Sequence, residues 1–178
     1  MAILKVARLG HPVLRLKAEP VPATDVKSKA LQGFIDDLLE TMYEYDGAGL
    51  AAPQVHVSQR ICVYVVGGEE RRAAGKTGDE VVLVNPVVTA LSDELVEDWE
   101  GCLSLPDLRG KVPRVTAVKV EALGRDGKPL SFVAKDFHAR VVLHETDHLD
   151  GVVYVDRMRD LASLSFIEEF SRYAEVES

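Results

Sequence analysis

Two histidines four residues apart, with a glutamate after the first, are the residues of this chain best suited to chemistry. The sequence at 144–148 reads His-Glu-Thr-Asp-His. If this segment is helical, His144 and His148 lie one turn apart on the same face, so both imidazoles can reach one metal ion. Glu145 lies beside the first ligand and matches the general base that takes a proton from water in such sites. The pattern therefore predicts metal-assisted hydrolysis.

The alternative is that these residues decorate a solvated helix and hold no metal. The flanking sequence favours a buried functional helix instead, because Val141, Val142 and Leu143 are apolar and Gly151 ends the pattern. We therefore expect the segment to belong to a site.

A catalytic metal site of this kind needs a third protein ligand. Such sites commonly hold the ion with three protein groups and leave one position for water. A histidine six residues after His148 would be typical of metzincin proteases, but that position is Tyr154. A glutamate distant in sequence remains an alternative third ligand. The better candidate is Cys102, within Glu-Gly-Cys-Leu-Ser at 100–104, because it follows a glycine in a turn-rich setting.

The other of the two cysteines, Cys62, lies in the apolar run Ile-Cys-Val-Tyr-Val-Val at 61–66. This run predicts a strand, in which a buried and inert thiol is the favoured interpretation. A disulfide with Cys102 is the alternative. We expect free thiols, because nothing marks the chain as secreted.

A third segment, Gly-Ala-Gly-Leu-Ala-Ala-Pro-Gln at 47–54, combines small residues with a polar amide. It follows a predicted helix rather than a strand, which excludes a dinucleotide-binding loop. Paired glycines let a backbone approach a ligand, and Gln54 offers both an amide donor and an acceptor. A glycine helix cap followed by a turn is the alternative, and it explains Gly47 but not the whole segment.

The elements that position these residues follow from the spacing of apolar side chains. Residues 28–45 repeat apolar side chains at helical spacing, and this helix delivers the glycine-rich segment. Further elements are predicted as strands at 60–66, 81–90 and 94–99, a hairpin of 114–122 with 130–134, the histidine-bearing helix at 136–149 and a terminal helix at 161–174. Together they predict an α+β fold with mixed or antiparallel β-sheets packed around a central metal-binding helix.

The three segments at 47–54, 100–104 and 144–148 resemble the signature motifs of peptide deformylases, in the same order. Residues 9–15, Leu-Gly-His-Pro-Val-Leu-Arg, strengthen a resemblance that covers nearly the whole chain. One departure is Leu143, where many family members carry glutamine. The ligands and the base are unaffected by it.

The resemblance implies a metal-dependent hydrolase that removes the formyl group from N-formylmethionine at the start of newly made polypeptides and releases formate. The alternative is a His-Glu-x-x-His metallopeptidase, which would normally take its third ligand from glutamate or histidine rather than from Cys102. A noncatalytic metal-binding module would need a closed site of four ligands, and the sequence shows no fourth donor with suitable spacing.

The resemblance also implies the metal chemistry. Cys102, His144 and His148 would hold Fe²⁺, with Ni²⁺ or Co²⁺ as active substitutes and Zn²⁺ as a poor one. Glu145 would take a proton from water and return it to the leaving amine. The backbone N–H of Leu103 and the side-chain amide of Gln54, by the same resemblance, would stabilise the oxyanion.

We expect the peptide substrate to lie extended against the backbone of Gly49 and the segment after Cys102. Val141 lies one helical turn before His144 and should line an apolar pocket for the methionine side chain. Arg109 and Arg114 could contact a substrate carboxylate or pair internally with acids such as Asp147, and we favour the internal pairing for both.

Composition fits a small enzyme. With 178 residues, 47% of them hydrophobic, the chain is expected to form one catalytic domain over residues 1–178. Its formal charge of -8 disfavours nucleic acid as a direct partner. The sequence shows neither a membrane-spanning run nor a targeting segment, so we expect a cytoplasmic location. The expected partners are N-formylmethionyl nascent peptides, with the ribosome as a further candidate.

Overall fold

The computed structural model describes residues 2–67 and 79–173. Its α-helices are α1 (Lys29–Glu44), α2 (Asp136–Leu149) and α3 (Ile167–Tyr173). Its strands are β1 (Gly49–Ala51), β2 (Ile61–Val66), β3 (Asp79–Ala90), β4 (Leu95–Cys102), β5 (Leu105–Val115), β6 (Ala117–Leu123), β7 (Pro129–Lys135) and β8 (Ser165–Phe166).

Helix α1 forms where the sequence supplies both a cap and an apolar stripe. The Ser28 side chain accepts a hydrogen bond from the backbone N–H of Leu31, which satisfies one of the free donors at the helix start. Ile35, Leu38 and Met42 repeat at helical spacing and are fully buried. The helix predicted at 28–45 is therefore confirmed, and it leads directly into β1.

The larger sheet has the strand order β1-β2-β3-β6-β7, and its neighbouring strands are antiparallel. Side chains alternate between its faces, so Val63 packs in the core that contains α1, whereas Cys62 packs in the core that contains residues of α2. Cys62 is fully buried and both thiols are free, as expected. Because β1 is an edge strand, one of its sides is open within this sheet.

The smaller sheet, β4-β5-β8, corrects the sequence-based assignment. The prediction ended a strand at residue 99 and ran another through 114–122, whereas β4 continues to Cys102 and the chain changes sheet at Thr116. Strand β5 was missed because it contains Pro113. This proline pairs with Glu97 of β4, while β8 pairs only with Leu108 and Arg109 of β5. Pro113 therefore lies where β5 has one neighbour, and its missing N–H is tolerated.

Helix α2 contacts both sheets, and its predicted limits at 136–149 are confirmed. Beyond its end, Gly151 has a φ of +74°, a left-handed conformation that suits glycine. A Cβ at Gly151 would lie 2.7 Å from the backbone oxygen of Arg15. The N–H of Ala18 also donates to the Leu149 carbonyl at 2.8 Å. The N-terminal segment therefore packs tightly on the end of this helix.

The predicted terminal helix at 161–174 begins too early. Ser165 and Phe166 form β8 against β5, and α3 starts only at Ile167. Residue 174 lies outside the described residues. The predicted α+β class, with antiparallel sheets around α2, is confirmed. Within the described ranges, none of the helices combines the length and apolar character that a membrane span requires.

Candidate metal centre

Three potential metal ligands meet where the end of β4 faces helix α2. Cys102 is the last residue of β4, and the paired strands shift register between Gly101 and Cys102. One ligand atom each from Cys102, His144 and His148 lies within 4.8 Å of the others. The Cys102 Sγ and His148 Nε2 atoms are 3.3 Å apart. The structure thus brings together the three residues that the sequence proposed as ligands.

The donor set fits a divalent transition metal. Ligand bonds of about 2.0–2.3 Å place two ligands of one tetrahedral ion roughly 3.3–3.8 Å apart, which matches the Cys102–His148 pair. Burial alone would raise the pKa of the Cys102 thiol, but the imidazoles of His148 and His144 outweigh it and hold that pKa well below its usual range. The thiolate is the form that binds a metal.

Glu100 orients the first histidine. Its Oε2 atom lies 2.8 Å from His144 Nδ1, which leaves the other ring nitrogen of His144 available as a ligand. Arg114 donates to both carboxylate oxygens of Glu100, at 2.9 and 3.0 Å, and Arg140 donates to Oε1 at 2.9 Å. Burial would raise the pKa of Glu100, but the hydrogen bonds from His144 and Arg114 outweigh it and lower that pKa to about 2.

Sequence reasoning did not assign this role to Glu100, although the residue lies in one of the quoted motifs. A general signal was available, because the second ring N–H of a metal-binding histidine commonly donates a hydrogen bond to a carboxylate. The chain contains 29 acidic residues, however, and spacing alone does not say which of them faces His144.

The buried network continues away from the metal ligands. Arg114 Nη1 donates to Asp147 Oδ2 at 2.5 Å, and Arg157 Nη2 donates to Asp147 Oδ1 at 2.7 Å. The interpretation of Arg114 as an internal partner of Asp147 is confirmed. Arg109 has no acidic partner within the described ranges, and its guanidinium carbon lies 5.5 Å from the centre of the Phe170 ring.

Glu145 lies beside the ligands with only 4% of its surface exposed. Burial is the largest influence on this carboxyl group and raises its pKa to about 7, against the opposing effects of His144 and His148. A pKa near neutrality suits a group that must both accept and donate a proton. Gly49 adjoins this side chain, because a Cβ added at Gly49 would lie 2.6 Å from Glu145 Cδ.

Gln54 also reaches this site. Its Oε1 accepts a hydrogen bond from the Ala51 N–H at 2.8 Å, which fixes the orientation of the amide. Its Nε2 then lies 3.5 Å from Cys102 Sγ and 3.2 Å from Ser104 Oγ. Leu103 directly follows the cysteine in the turn between β4 and β5. The glycine-rich segment and the cysteine motif therefore adjoin, as the site prediction requires.

Gly49 and Val141 occupy different surroundings. Gly49 begins β1, where it pairs with Tyr64 of β2. Val141 is 8% exposed and packs in the core that contains Cys62 and Val142. Their roles in holding a peptide backbone and a methionine side chain stay predictions.

The sequence profile of the polypeptide deformylase family matches residues 3–163. Peptide deformylase 2 of Pseudomonas putida is 40% identical over 166 residues, which cover 93% of each chain. Peptide deformylase 2 of Clostridium perfringens is 42% identical over 164 residues, which cover 92% of this chain and 98% of the relative.

Solved structures agree with the sequence matches. The Met-Ala-Ser-bound class I type b peptide deformylase of Acinetobacter baumannii has a TM-score of 0.82 and 39% identity, over 88% of this chain and 99% of its own. The peptide deformylase of Thermotoga maritima has a TM-score of 0.80 and 36% identity, over 90% and 100%. The metallopeptidase alternative receives no support from these relatives. Matches of this length and identity show that the chain belongs to the polypeptide deformylase family and is a deformylase enzyme.

Proposed function

We propose that this deformylase removes the formyl group from N-formylmethionine at the start of newly made polypeptides and releases formate. The observation that carries the proposal is the meeting of Cys102, His144 and His148 beside the buried carboxyl group of Glu145. Three ligands and a base are the components that metal-assisted hydrolysis of an amide requires.

A divalent metal held by Cys102, His144 and His148 would supply Lewis acidity, which lowers the pKa of water and polarises the formyl carbonyl group. Glu145 removes a proton from the water molecule as the water oxygen forms a bond to the formyl carbon. The same carboxyl group then gives the proton to the methionine nitrogen as the C–N bond breaks. Its pKa of about 7 supports both transfers.

The negative charge that develops on the formyl oxygen needs donors placed in advance. We assign this role to the Gln54 amide and the Leu103 N–H. Support for Gln54 comes from its hydrogen bond with Ala51, which directs Nε2 toward Cys102. Removal of one such donor typically lowers kcat by about 10²- to 10³-fold.

The substrate peptide is proposed to extend along the open side of β1, with backbone contacts at Gly49 and a methionine pocket at Val141. Strand addition of this kind binds main-chain groups and accepts varied side chains beyond the first residue. The A. baumannii relative is described with Met-Ala-Ser bound, a peptide that begins with methionine. Such a peptide is the product of the proposed reaction.

We propose Fe²⁺ as the native ion, since the ligand types alone suit both iron and zinc and the family resemblance favours iron. Residues 1–178 are proposed to form one catalytic domain, which is supported by the contacts of α2 with both sheets. Nascent chains would be met in the cytoplasm, with the ribosome as a further candidate partner.

The test is formate release from formyl-Met-Ala-Ser by metal-loaded protein, with bound metal measured in the same samples. Glu145→Gln should keep its metal and lose about 10²- to 10⁴-fold in turnover, because the glutamine cannot transfer the proton. Retained turnover in this variant would refute the assigned base. Cleavage of an internal bond in an unformylated peptide would instead indicate peptidase activity.

A further inference from the structure

Gly49 begins β1 with ordinary strand backbone. It pairs with Tyr64, and its φ lies outside the left-handed region that favours glycine. Its backbone conformation therefore accepts any residue. A Cβ at this position, however, would lie 2.6 Å from Glu145 Cδ and 2.8 Å from Glu145 Cγ. Carbon atoms in contact are normally about 3.5–4.0 Å apart, so this space is already filled.

The group that crowds Gly49 is the proposed base, and the other glycines have different neighbours. A Cβ at Gly33 would meet nothing within 4 Å, and one at Gly101 would have its nearest neighbour at an ordinary 3.6 Å. At Gly47 the nearest atom would be Leu103 Cδ1, the end of an apolar side chain, at 2.9 Å. Among these glycines, only Gly49 would place a Cβ within 3.0 Å of an ionisable side chain.

Glu145 has little freedom to occupy another position. It is 4% exposed, and its neighbours in sequence anchor α2 through the contacts of His144 with Glu100 and of Asp147 with Arg114. On the opposite side, β1 is held by its pairing with β2. An added methyl group would therefore displace the end of the Glu145 side chain rather than either backbone.

We propose that Gly49 is a positioning residue for the general base: the space left by its missing side chain holds the Glu145 carboxyl group at its working distance from the metal ligands. This inference rests on the proposed function, which assigns Glu145 as the base. It adds a role to Gly49 that is separate from contact with the peptide backbone.

The two roles predict different kinetics. If Gly49 only lets the peptide approach, Gly49→Ala should raise KM and leave kcat near the wild-type value. If Gly49 places the base, the variant should lower kcat by about 10²-fold, since a misplacement of about 1 Å can have that effect. KM and metal content should change little.

These constants should be measured with formyl-Met-Ala-Ser, beside Gly33→Ala as the matched control. The control adds the same methyl group in α1, away from the site, and should leave kcat and KM unchanged. A Gly49→Ala variant that raises KM alone, or changes neither constant, would overturn the inference.

A stability cycle tests the same packing without turnover. Gly49→Ala should lower the midpoint of thermal unfolding in the wild-type background and lower it much less in a Glu145→Ala background, where the obstructing side chain is gone. Failure of the single variant to fold, with folding restored in the double variant, would also support the inference. Equal losses in both backgrounds would refute it. Retained turnover in Glu145→Gln would refute the proposed base but would not alter this cycle.

Discussion

The two cysteines show that surroundings decide the chemistry of a thiol. Cys62 is fully buried, and burial followed by the charge of Glu145 raises its pKa well above the usual value. Cys102 is also shielded, but two imidazoles lower its pKa. The first thiol therefore stays protonated and packs like a small apolar side chain, whereas the second is prepared to bind a cation.

This contrast predicts opposite phenotypes for two matched substitutions. Cys102→Ala should lose most metal affinity and formate release, because one of three ligands is removed. Cys62→Ala should keep both and lose about 1 kcal/mol of unfolding free energy, because it removes one buried apolar atom. Metal titration and urea unfolding of both variants provide the measurements. Equal and unchanged metal affinity in the two variants would exclude Cys102 as a ligand.

A second prediction at the level of single residues concerns Val141. Val141→Phe should lower kcat/KM for formyl-Met-Ala-Ser, because the larger ring would fill the proposed methionine pocket. Metal content should stay the same, since the substitution leaves the ligands in place. An unchanged kcat/KM would place the pocket elsewhere.

At the level of elements, local sequence patterns correctly predicted those helices and strands whose formation depends mainly on nearby residues. The limits of α2 followed from apolar spacing and from Gly151, and the strand containing Cys62 followed from a continuous apolar run. Strand β5 could not be predicted in this way, since Pro113 is tolerated only because β8 pairs with Leu108 and Arg109 and does not reach it. Glu100 could not be identified as the partner of His144 for a similar reason, because their contact depends on how distant elements pack. The contact with Glu100 joins residues 44 positions apart, and only the packing of α2 on β4 creates it.

That packing leads to a prediction for the contact between β4 and α2. Glu100→Gln should lower the free energy of unfolding at neutral pH by about 3–5 kcal/mol, because it removes the buried carboxylate that neutralises Arg140 and leaves Arg114 with Asp147 alone. Metal affinity should fall about 10- to 100-fold as His144 loses its orientation. Urea unfolding and competition with a chelator measure the two effects. Glu97→Gln, on the same strand but more exposed, is the matched control and should change neither quantity.

The Glu100 carboxylate should also make the free energy of unfolding depend on pH. Its pKa is about 2 in the folded protein and about 4.3 in an unfolded chain. Its stabilising contribution is therefore complete above about pH 4.3 and is lost as the pH falls toward 2. Unfolding measured across this range should show a loss of stability that is larger in the wild-type protein than in Glu100→Gln, in which other paired carboxylates such as Asp156 still titrate. Parallel pH profiles would contradict this origin of acid sensitivity.

For the whole molecule, the ligands come from one sheet and one helix. Cys102 belongs to the smaller sheet, and both histidines belong to the helix that contacts each sheet. The centre is thus held by the packing of α2 against the smaller sheet, which a change of ion need not disturb. The predicted absence of direct nucleic-acid binding rests on the charge of -8 and stays a prediction.

Metal exchange should therefore change activity more than structure. Protein loaded anaerobically with Fe²⁺ should turn over formyl-Met-Ala-Ser much faster than the Zn²⁺ form, and it should lose activity in air while a Ni²⁺ form persists. Formate release at equal metal occupancy provides the comparison. A zinc form as fast as the iron form would overturn the choice of iron and leave the ligand set intact.

The packing of the N-terminal segment on the end of α2 also bears on the order in which the protein is made. Ala18 donates to the Leu149 carbonyl group, and the backbone of Arg15 lies against Gly151. Both histidine ligands lie in about the last fifth of the chain. Arg15 and Ala18 therefore cannot make these contacts until Leu149 and Gly151 have been synthesised. Until α2 has been synthesised, the chain has neither the histidines nor the base, so the metal centre cannot form before that point.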